Sequence, residues 1–457
     1  MTSVLLIYPF FLPRRDRSVF RFPPLGIGYV AAALRHERHD VRVLDCTFMT
    51  RKNALAQALA AKADVVGIYC MVTMRDDCIR FAREMRPLCK LLVAGGPLPT
   101  CDPAPFLDHF DVVVRGEGEQ TMVELLRAFE NRAPLGLVAG IVYKNGTGAL
   151  ADAENGIVYT QARPFAPDLD RIPFPARDML PNNDYIRYGK KKYGVSVTTV
   201  MSTRGCPYKC EFCSNVVFGG SYRERSPENV VDEIKQALDM GYDRISFADD
   251  VFTMKREMVL GVCNEIRRRG LRFSWECLGR VDAMDYDIAY TMKKAGCTRI
   301  YFGIESGSDK VLSLMNKNIT ALQARRAVEA AHAAGLQVGA FFILFYPGDT
   351  DDTVIETLRF ATSLPLDYLG LTVPYPLPGT ALHARIKSHI IRDWRQDESV
   401  FAGHTVVFKG DFSKIKMMFG FLKGWAQYEL RKRLGRRAPF LVGLFEKSTD
   451  GILRLLR

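Results

Sequence analysis

The stretch TTVMSTRGCPYKCEFC, residues 198–213, runs from an apolar, β-branched segment straight into three cysteines. The first part has the composition of a β-strand. Cys206, Cys210 and Cys213 follow it at the spacing C-x3-C-x2-C. A strand ending on a loop of metal-binding thiols predicts an α/β fold in which function sits at the carboxyl ends of strands.

Downstream the same alternation continues. Strand candidates are RISFADD (244–250), RFSWEC (272–277), TRIYFGI (298–304), QVGAFFILF (337–345) and YLGLTVP (368–374), separated by helical patterns. With the first strand this predicts a partial (β/α)6 TIM-like barrel over 196–385, two units short of a closed eightfold barrel. One helix is marked by Ser226 as N-cap, Pro227 at the first helical position and Glu228 in the first turn.

Upstream, SVLLIYPF (3–10), DVRVLDC (40–46), DVVGIYC (64–70), KLLVAGG (90–96) and DVVVRG (111–116) alternate with amphipathic stretches such as 25–38 and 74–86. This predicts a doubly wound, Rossmann-like parallel sheet over 1–136. Glycines gather at its predicted ligand edge, as Gly95-Gly96-Pro97 and Gly116-Glu117-Gly118-Glu119. Residues 137–195 read as a hairpin, GIVYKNGTGA with Asn145-Gly146 as its turn, and a wrapping linker, DLDRIPFPARDMLPNNDY (168–185). Residues 386–457 form a separate basic, helical C-terminal region.

The 457 residues imply two or three domains, and 48% hydrophobic with 25% charged residues is an ordinary soluble composition. The eleven cysteines are odd in number and mostly scattered, which excludes a secreted disulfide scaffold and points to a reducing cytosol. Cys46, Cys70, Cys263 and Cys277 lie in apolar patterns and read as buried small hydrophobes. No apolar run approaches the length of a membrane-spanning helix, and MTSVLLIYPFF reads as a first strand rather than a signal peptide. Of the net charge of +12, the segment from Lys409 onward carries +8, from 12 Lys/Arg and 4 Asp/Glu. The basicity belongs to the tail.

Three thiols leave a metal site one ligand short. A structural zinc site would need a remote fourth ligand, since the nearest candidates are Cys263, His109 and His332. A [4Fe–4S] cluster held by three thiolates instead leaves one iron open to a small molecule with amine and carboxylate groups. The loop, with Phe212 before its last cysteine, resembles the cluster loop of the radical S-adenosylmethionine (SAM) enzymes. The resemblance implies that SAM takes the open iron, and that Phe212, Asp249, Asp250, Arg280 and Glu305 surround it. Other readings stand beside these roles: a helix N-cap for the aspartates, surface salt bridges for Arg280 and Glu305. PYPLPGTAL (374–382) also resembles a family segment.

FPPLGIGYVAAALR (22–35), VAGGPLPT (93–100) and VVRGEGEQTMVELL (113–126) resemble the cobalamin-binding domain that precedes the barrel in one large subclass. IPFPARD, STRGCPYKCEFC and FGIESGSDKVL match the same subclass, so the likeness covers about 1–385. It implies cobalamin contacts at Leu25, Gly26, Thr73, Gly95, Gly96, Pro97, Gly116 and Glu117. One departure is informative: many such domains carry an Asp-x-His-x-x-Gly loop whose histidine ligates cobalt, and residues 8–26 contain no histidine.

The activity implied by the resemblance is that of a cobalamin-dependent radical SAM enzyme. A 5′-deoxyadenosyl radical would remove hydrogen from an unactivated carbon, which then receives a methyl group. Cyclisation, oxidation and carbon–carbon coupling use the same architecture. A methylthiotransferase would need further N-terminal cluster cysteines, which are not evident. A reading of another class is a non-catalytic cobalamin- or metal-binding protein. The implied partners are a small-molecule or lipid substrate and an external flavodoxin- or ferredoxin-type electron donor. No recognised nucleic-acid module is present, and the expected location is the cytoplasm.

In the tail, Ile415, Met418, Phe419, Leu422, Trp425 and Ala426 share one helical face. Lys414, Lys416 and Lys423 flank it, followed by Arg431-Lys432-Arg433 and Arg436-Arg437. This face either packs inward as a lid or lies on an anionic membrane surface at the inner face of the membrane. The second alternative suggests a lipid, isoprenoid or tetrapyrrole substrate.

Overall fold

The computed structural model describes residues 2–13, 20–145, 156–392, 408–434 and 438–456. Its contacts divide the chain into two compact units. One comprises 1–200, 204–207 and 215–245; the other comprises 201–203, 208–214 and 246–457.

The first unit is built on a seven-stranded sheet. Strands β1 (Ser3–Tyr8), β2 (Asp40–Asp45), β3 (Val65–Tyr69), β4 (Leu91–Gly95) and β5 (Val112–Val114) are the five apolar runs of the sequence. They lie in the order β2-β1-β3-β4-β5, parallel throughout. Each run is apolar on both faces because helices cover both sides of such a sheet. β6 (Ile141–Lys144) and β7 (Ile157–Tyr159) add an antiparallel edge. The two strands pair as an antiparallel hairpin, with Lys144 opposite Ile157. Gly146, of the predicted Asn145-Gly146 turn, lies outside the described residues, as do Arg436 and Arg437.

The linker is more structured than its proline content predicts. Asn182–Tyr193 is a helix closed by Gly194 in the left-handed conformation. Arg177, from the IPFPARD segment, is fully buried and donates to Thr198 Oγ1 (2.9 Å) and the Thr199 carbonyl (2.6 Å) while pairing with Glu233. Glu233 is also bound by Arg225. A buried charge survives only when paired and hydrogen-bonded, and this cluster ties the linker to strand and helix in the same unit. Ser226 caps the helix Pro227–Asp239 by accepting from the Asn229 N–H, as its sequence predicts.

The second sheet has six strands, in the order β8-β11-β12-β13-β14-β15. They are β8 (Val197–Val200), β11 (Arg244–Phe247), β12 (Ser274–Gly279), β13 (Cys297–Glu305), β14 (Gln337–Ile343) and β15 (Tyr368–Thr372). Between β8 and β11 in the chain lies a small ribbon of β9 (Thr203–Arg204) and β10 (Arg223–Glu224). All six strands predicted for the barrel are present, and the pairs from β12 to β15 are parallel. Two helices, Lys414–Leu434 and Pro439–Leu455, come after the sheet in the chain and pack together.

Candidate active site

The cysteine loop begins on a constrained backbone. Gly205 has φ +84°, and a Cβ there would stand 2.3 Å from the Ser221 carbonyl oxygen. Only glycine fits. Cys206 then donates its N–H to the Gly219 carbonyl at 3.2 Å, and the Asn215 side-chain amide donates to the Cys206 carbonyl at 3.0 Å.

Arg204, just before that glycine, is buried. It donates to Glu117 (3.1 Å) and Glu119 (2.7 Å), and its guanidinium stands 5.0 and 5.1 Å from the Tyr29 and Phe218 ring centroids. Burial opposes its charge, but Glu119, Tyr29 and Glu117 outweigh that and hold its pKa up. Glu117 also takes Arg223 at 2.8 Å and the Ala166 N–H at 3.1 Å. Its carboxylate is thus committed to arginines, and within this unit the Gly-Glu-Gly-Glu loop anchors the start of the cysteine loop.

The other glycine-rich residues line one edge of the first sheet. Leu25 and Gly26 open the helix that follows β1, Thr73 is exposed in the turn after β3, Gly95-Gly96-Pro97 follow β4, and Gly116 follows β5. Gly96 has φ +104°, and a Cβ on it would meet the Cys70 carbonyl oxygen at 2.7 Å. Above Gly95 a Cβ would meet nothing within 4 Å, and above Gly26 only the Tyr69 ring at 4.0 Å. Side chains at these two positions would fill space that the glycines leave open, which fits a flat cofactor lying against the strand ends.

In the second unit, Asp249 lies two residues past β11 and is buried. Its Oδ1 accepts from Ser202 Oγ (2.9 Å), Thr203 Oγ1 (2.6 Å) and the Thr203 N–H. Its Oδ2 is buried with no hydrogen-bond partner among the described residues. Burial pushes this carboxyl up to about 6, against the hydrogen bonds from Thr203 and Ser202. An orphaned buried carboxylate oxygen needs a donor, and a ligand ammonium would supply one. The aspartate is no helix cap, because the next helix, Arg256–Arg268, has Lys255 at its N-cap. Asp250 is exposed.

Phe212, Arg280 and Glu305 are brought together around Lys317. The Lys317 ammonium pairs with Glu305 at 3.0 Å and stands 5.7 Å from the Phe212 ring centroid, while its carbonyl accepts from Arg280 Nη2 at 3.1 Å. Arg280 also holds Asp282 through two 3.0 Å bonds and lies 3.4 Å from the centroid of Tyr208, a residue of the cysteine loop. These are buried contacts, not the surface salt bridges of the alternative reading. Glu305 has φ +73° at a register shift between β13 and β14. Such strain in a non-glycine residue gathers at functional sites. Glu211, beside Phe212, is pinned by Arg385 (2.6 Å) and the Tyr346 hydroxyl (2.5 Å).

Ser202, Thr203, Tyr208, Arg204 and Lys317 were not singled out from sequence. The signal for Lys317 was its setting, Asn316-Lys317-Asn318, where both asparagines are left-handed (φ +51° and +54°). None of the three loop cysteines is in a disulfide. Among the described residues no three His, Cys, Asp or Glu side chains are grouped to hold a metal ion. Three thiols within eight residues are the donor chemistry of an iron–sulfur cluster.

Fold and site define an α/β enzyme that joins a glycine-edged parallel sheet to a partial barrel carrying a three-thiol loop. Residues 200–361 match the family model of the radical SAM superfamily, and residues 15–126 that of the B12 binding domain. An uncharacterised methyltransferase of Pyrococcus horikoshii is 35% identical over 370 residues, 79% of this chain and 77% of that protein. The anaerobic magnesium-protoporphyrin IX monomethyl ester cyclase of Cereibacter sphaeroides is 29% identical, over 81% of this chain and 61% of that protein. The solved structure of the cobalamin-dependent SAM radical enzyme OxsB with aqua-cobalamin shares the fold at TM-score 0.75, with 17% identity over 99% of this chain and 72% of that one.

The chain belongs to the radical SAM enzymes that carry an N-terminal B12-binding domain. Its radical SAM domain brings a [4Fe–4S] cluster and SAM, and its B12-binding domain brings cobalamin.

Proposed function

We propose that this enzyme is a cobalamin-dependent methyltransferase acting on an unactivated carbon of a hydrophobic or natural-product substrate, with lipid, isoprenoid or tetrapyrrole as the substrate class. The observation that carries this reading is the likeness to the Pyrococcus methyltransferase over most of both chains. When bound, the three cofactors supply a hydrogen-abstracting radical and a transferable methyl group.

The chain's own residues then have distinct tasks. Cys206, Cys210 and Cys213 hold the cluster. Asp249 offers its unpaired Oδ2 to the SAM ammonium, with Ser202 and Thr203 fixing the carboxylate. Phe212, Arg280 and Glu305, joined through Lys317, wall the same site and exclude water. Leu25, Gly26, Thr73, Gly95, Gly96, Pro97 and Gly116 form the cobalamin edge. Glu117 acts through Arg204 instead of touching the cofactor. The domains in this reading are 1–136, 137–195, 196–385 and 386–457. A flavodoxin- or ferredoxin-type donor delivers electrons, and the enzyme works in the cytoplasm.

Replacing Cys206, Cys210 and Cys213 together by alanine tests the radical assignment. Iron, acid-labile sulfide and 5′-deoxyadenosine formation should all disappear. Turnover that survives the triple substitution would refute it. A second reading, oxidative ring closure, is favoured by the likeness to the protoporphyrin ester cyclase. Product analysis separates the two, since only the first adds a carbon to substrate.

A further inference from the structure

The helix Lys414–Leu434 is turned inside out relative to its sequence. Its apolar stripe faces solvent: Ile415 is 63% exposed, Met418 61%, Leu422 62% and Trp425 40%. The opposite, polar face is buried, with Lys423 and Gln427 almost wholly enclosed. The next helix, Pro439–Leu455, does the same, exposing Phe440, Leu441 and Leu444 while burying Glu446 and Asp450.

A polar network fixes which face turns inward. Lys423 Nζ lies 2.8 Å from Asp450 Oδ1 and donates to Gln427 Oε1 at 2.8 Å. The Gln427 amide donates to Glu446 Oε1 and to Thr362 Oγ1, both at 2.9 Å. Arg359 pairs with Asp450, and Arg431 with Glu446. Rotating either helix to hide its apolar stripe would break these pairs and strand buried charges, which costs more than the stripe would gain.

The exposed face of the first helix has basic ends. At 100° per residue Lys414, Lys432 and Arg433 fall on the same side as Ile415, Met418, Leu422 and Trp425, and all are exposed. Only Glu429, which pairs with Arg433 at 3.3 Å, offsets them on that face. Apolar side chains with a tryptophan between basic ends suit a helix lying in the plane of an anionic bilayer surface. A second copy of the chain would bring the same positive rim against itself, which disfavours self-association. No described helix is long and apolar enough to cross a membrane.

We infer that the outward faces of these two C-terminal helices dock on an anionic lipid surface, with the apolar stripe entering the interfacial layer and Lys414, Lys432 and Arg433 meeting headgroup phosphates. The inference does not depend on which substrate is methylated.

The test is flotation of the full-length protein with phosphatidylcholine vesicles, with and without phosphatidylglycerol. Two variants accompany it, Ile415→Gln with Leu422→Gln and Lys432→Glu with Arg433→Glu, each checked by circular dichroism. The native chain should float only with phosphatidylglycerol, less so in high salt, and its Trp425 emission should shift to the blue. Each variant should lose binding by about tenfold or more. A native chain that stays unbound to phosphatidylglycerol vesicles, or a glutamine variant that floats equally well, would overturn the inference. So would a native dimer that the glutamine substitutions convert to monomer, which would make the stripe a protein interface.

Discussion

Asp249 and Asp250 are chemically identical neighbours with different fates. One is buried with an unpaired oxygen; the other is exposed. Because burial raises the Asp249 carboxyl from 3.8 to about 6, the folded chain holds a proton there that the unfolded chain has released. Stability from this group therefore falls as pH rises through that window. Asp249→Asn should flatten this part of the pH–stability profile in thermal melts of the apoprotein; Asp349, raised for the same reason, stays in both proteins. The same carboxylate gains a partner when an ammonium ligand binds. SAM affinity should tighten as pH rises through about 6, and Asp249→Asn should weaken it by about tenfold or more, the worth of a charge-assisted hydrogen bond. Isothermal titration of the cluster-loaded protein at several pH values measures both, and equal affinity in the variant would remove Asp249 from the site. Sequence could point to the pair but not choose between its members, since that choice depends on Ser202 and Thr203 reaching Asp249 across 47 and 46 residues.

Elements were legible where hydrophobic pattern and packing agree. The eleven strands read as apolar runs all formed, because central strands of parallel sheets must be apolar on both faces. The helix Asn182–Tyr193 was hidden by its polar composition and flanking proline; it is held from outside, by contacts such as Tyr185 hydroxyl to Asp45 at 2.7 Å. The C-terminal helix was legible as a helix, but periodicity alone left its apolar stripe either packed inward as a lid or turned outward, and the stripe is exposed. This has a measurable consequence. Lys423→Met should cost roughly 3 kcal/mol by taking the ammonium away from Asp450 Oδ1 and Gln427 Oε1 inside the buried network, whereas Leu422→Gln should stay within about 0.5 kcal/mol. Urea denaturation of both variants checks the order. The Gly-Glu-Gly-Glu loop makes a similar case. Arg204→Met leaves Glu119 without the guanidinium it faces, and should cost roughly 3–5 kcal/mol.

At the scale of the whole molecule, the matched regions succeed one another along the chain, B12 binding over 15–126 and radical SAM over 200–361. The three-thiol loop falls at the start of the second. Radical chemistry on an unactivated carbon and a methyl carrier are complementary only if both operate in one catalytic cycle. The most direct measurement is anaerobic reconstitution of the full chain with iron, sulfide and cobalamin, then turnover with methyl-deuterated SAM and mass spectrometry of the cobalamin pool. Label should enter methylcobalamin, with 5′-deoxyadenosine produced alongside in the presence of substrate. Protein that binds the cluster and cleaves SAM, yet leaves cobalamin unbound and unlabelled, would contradict the methyltransferase account.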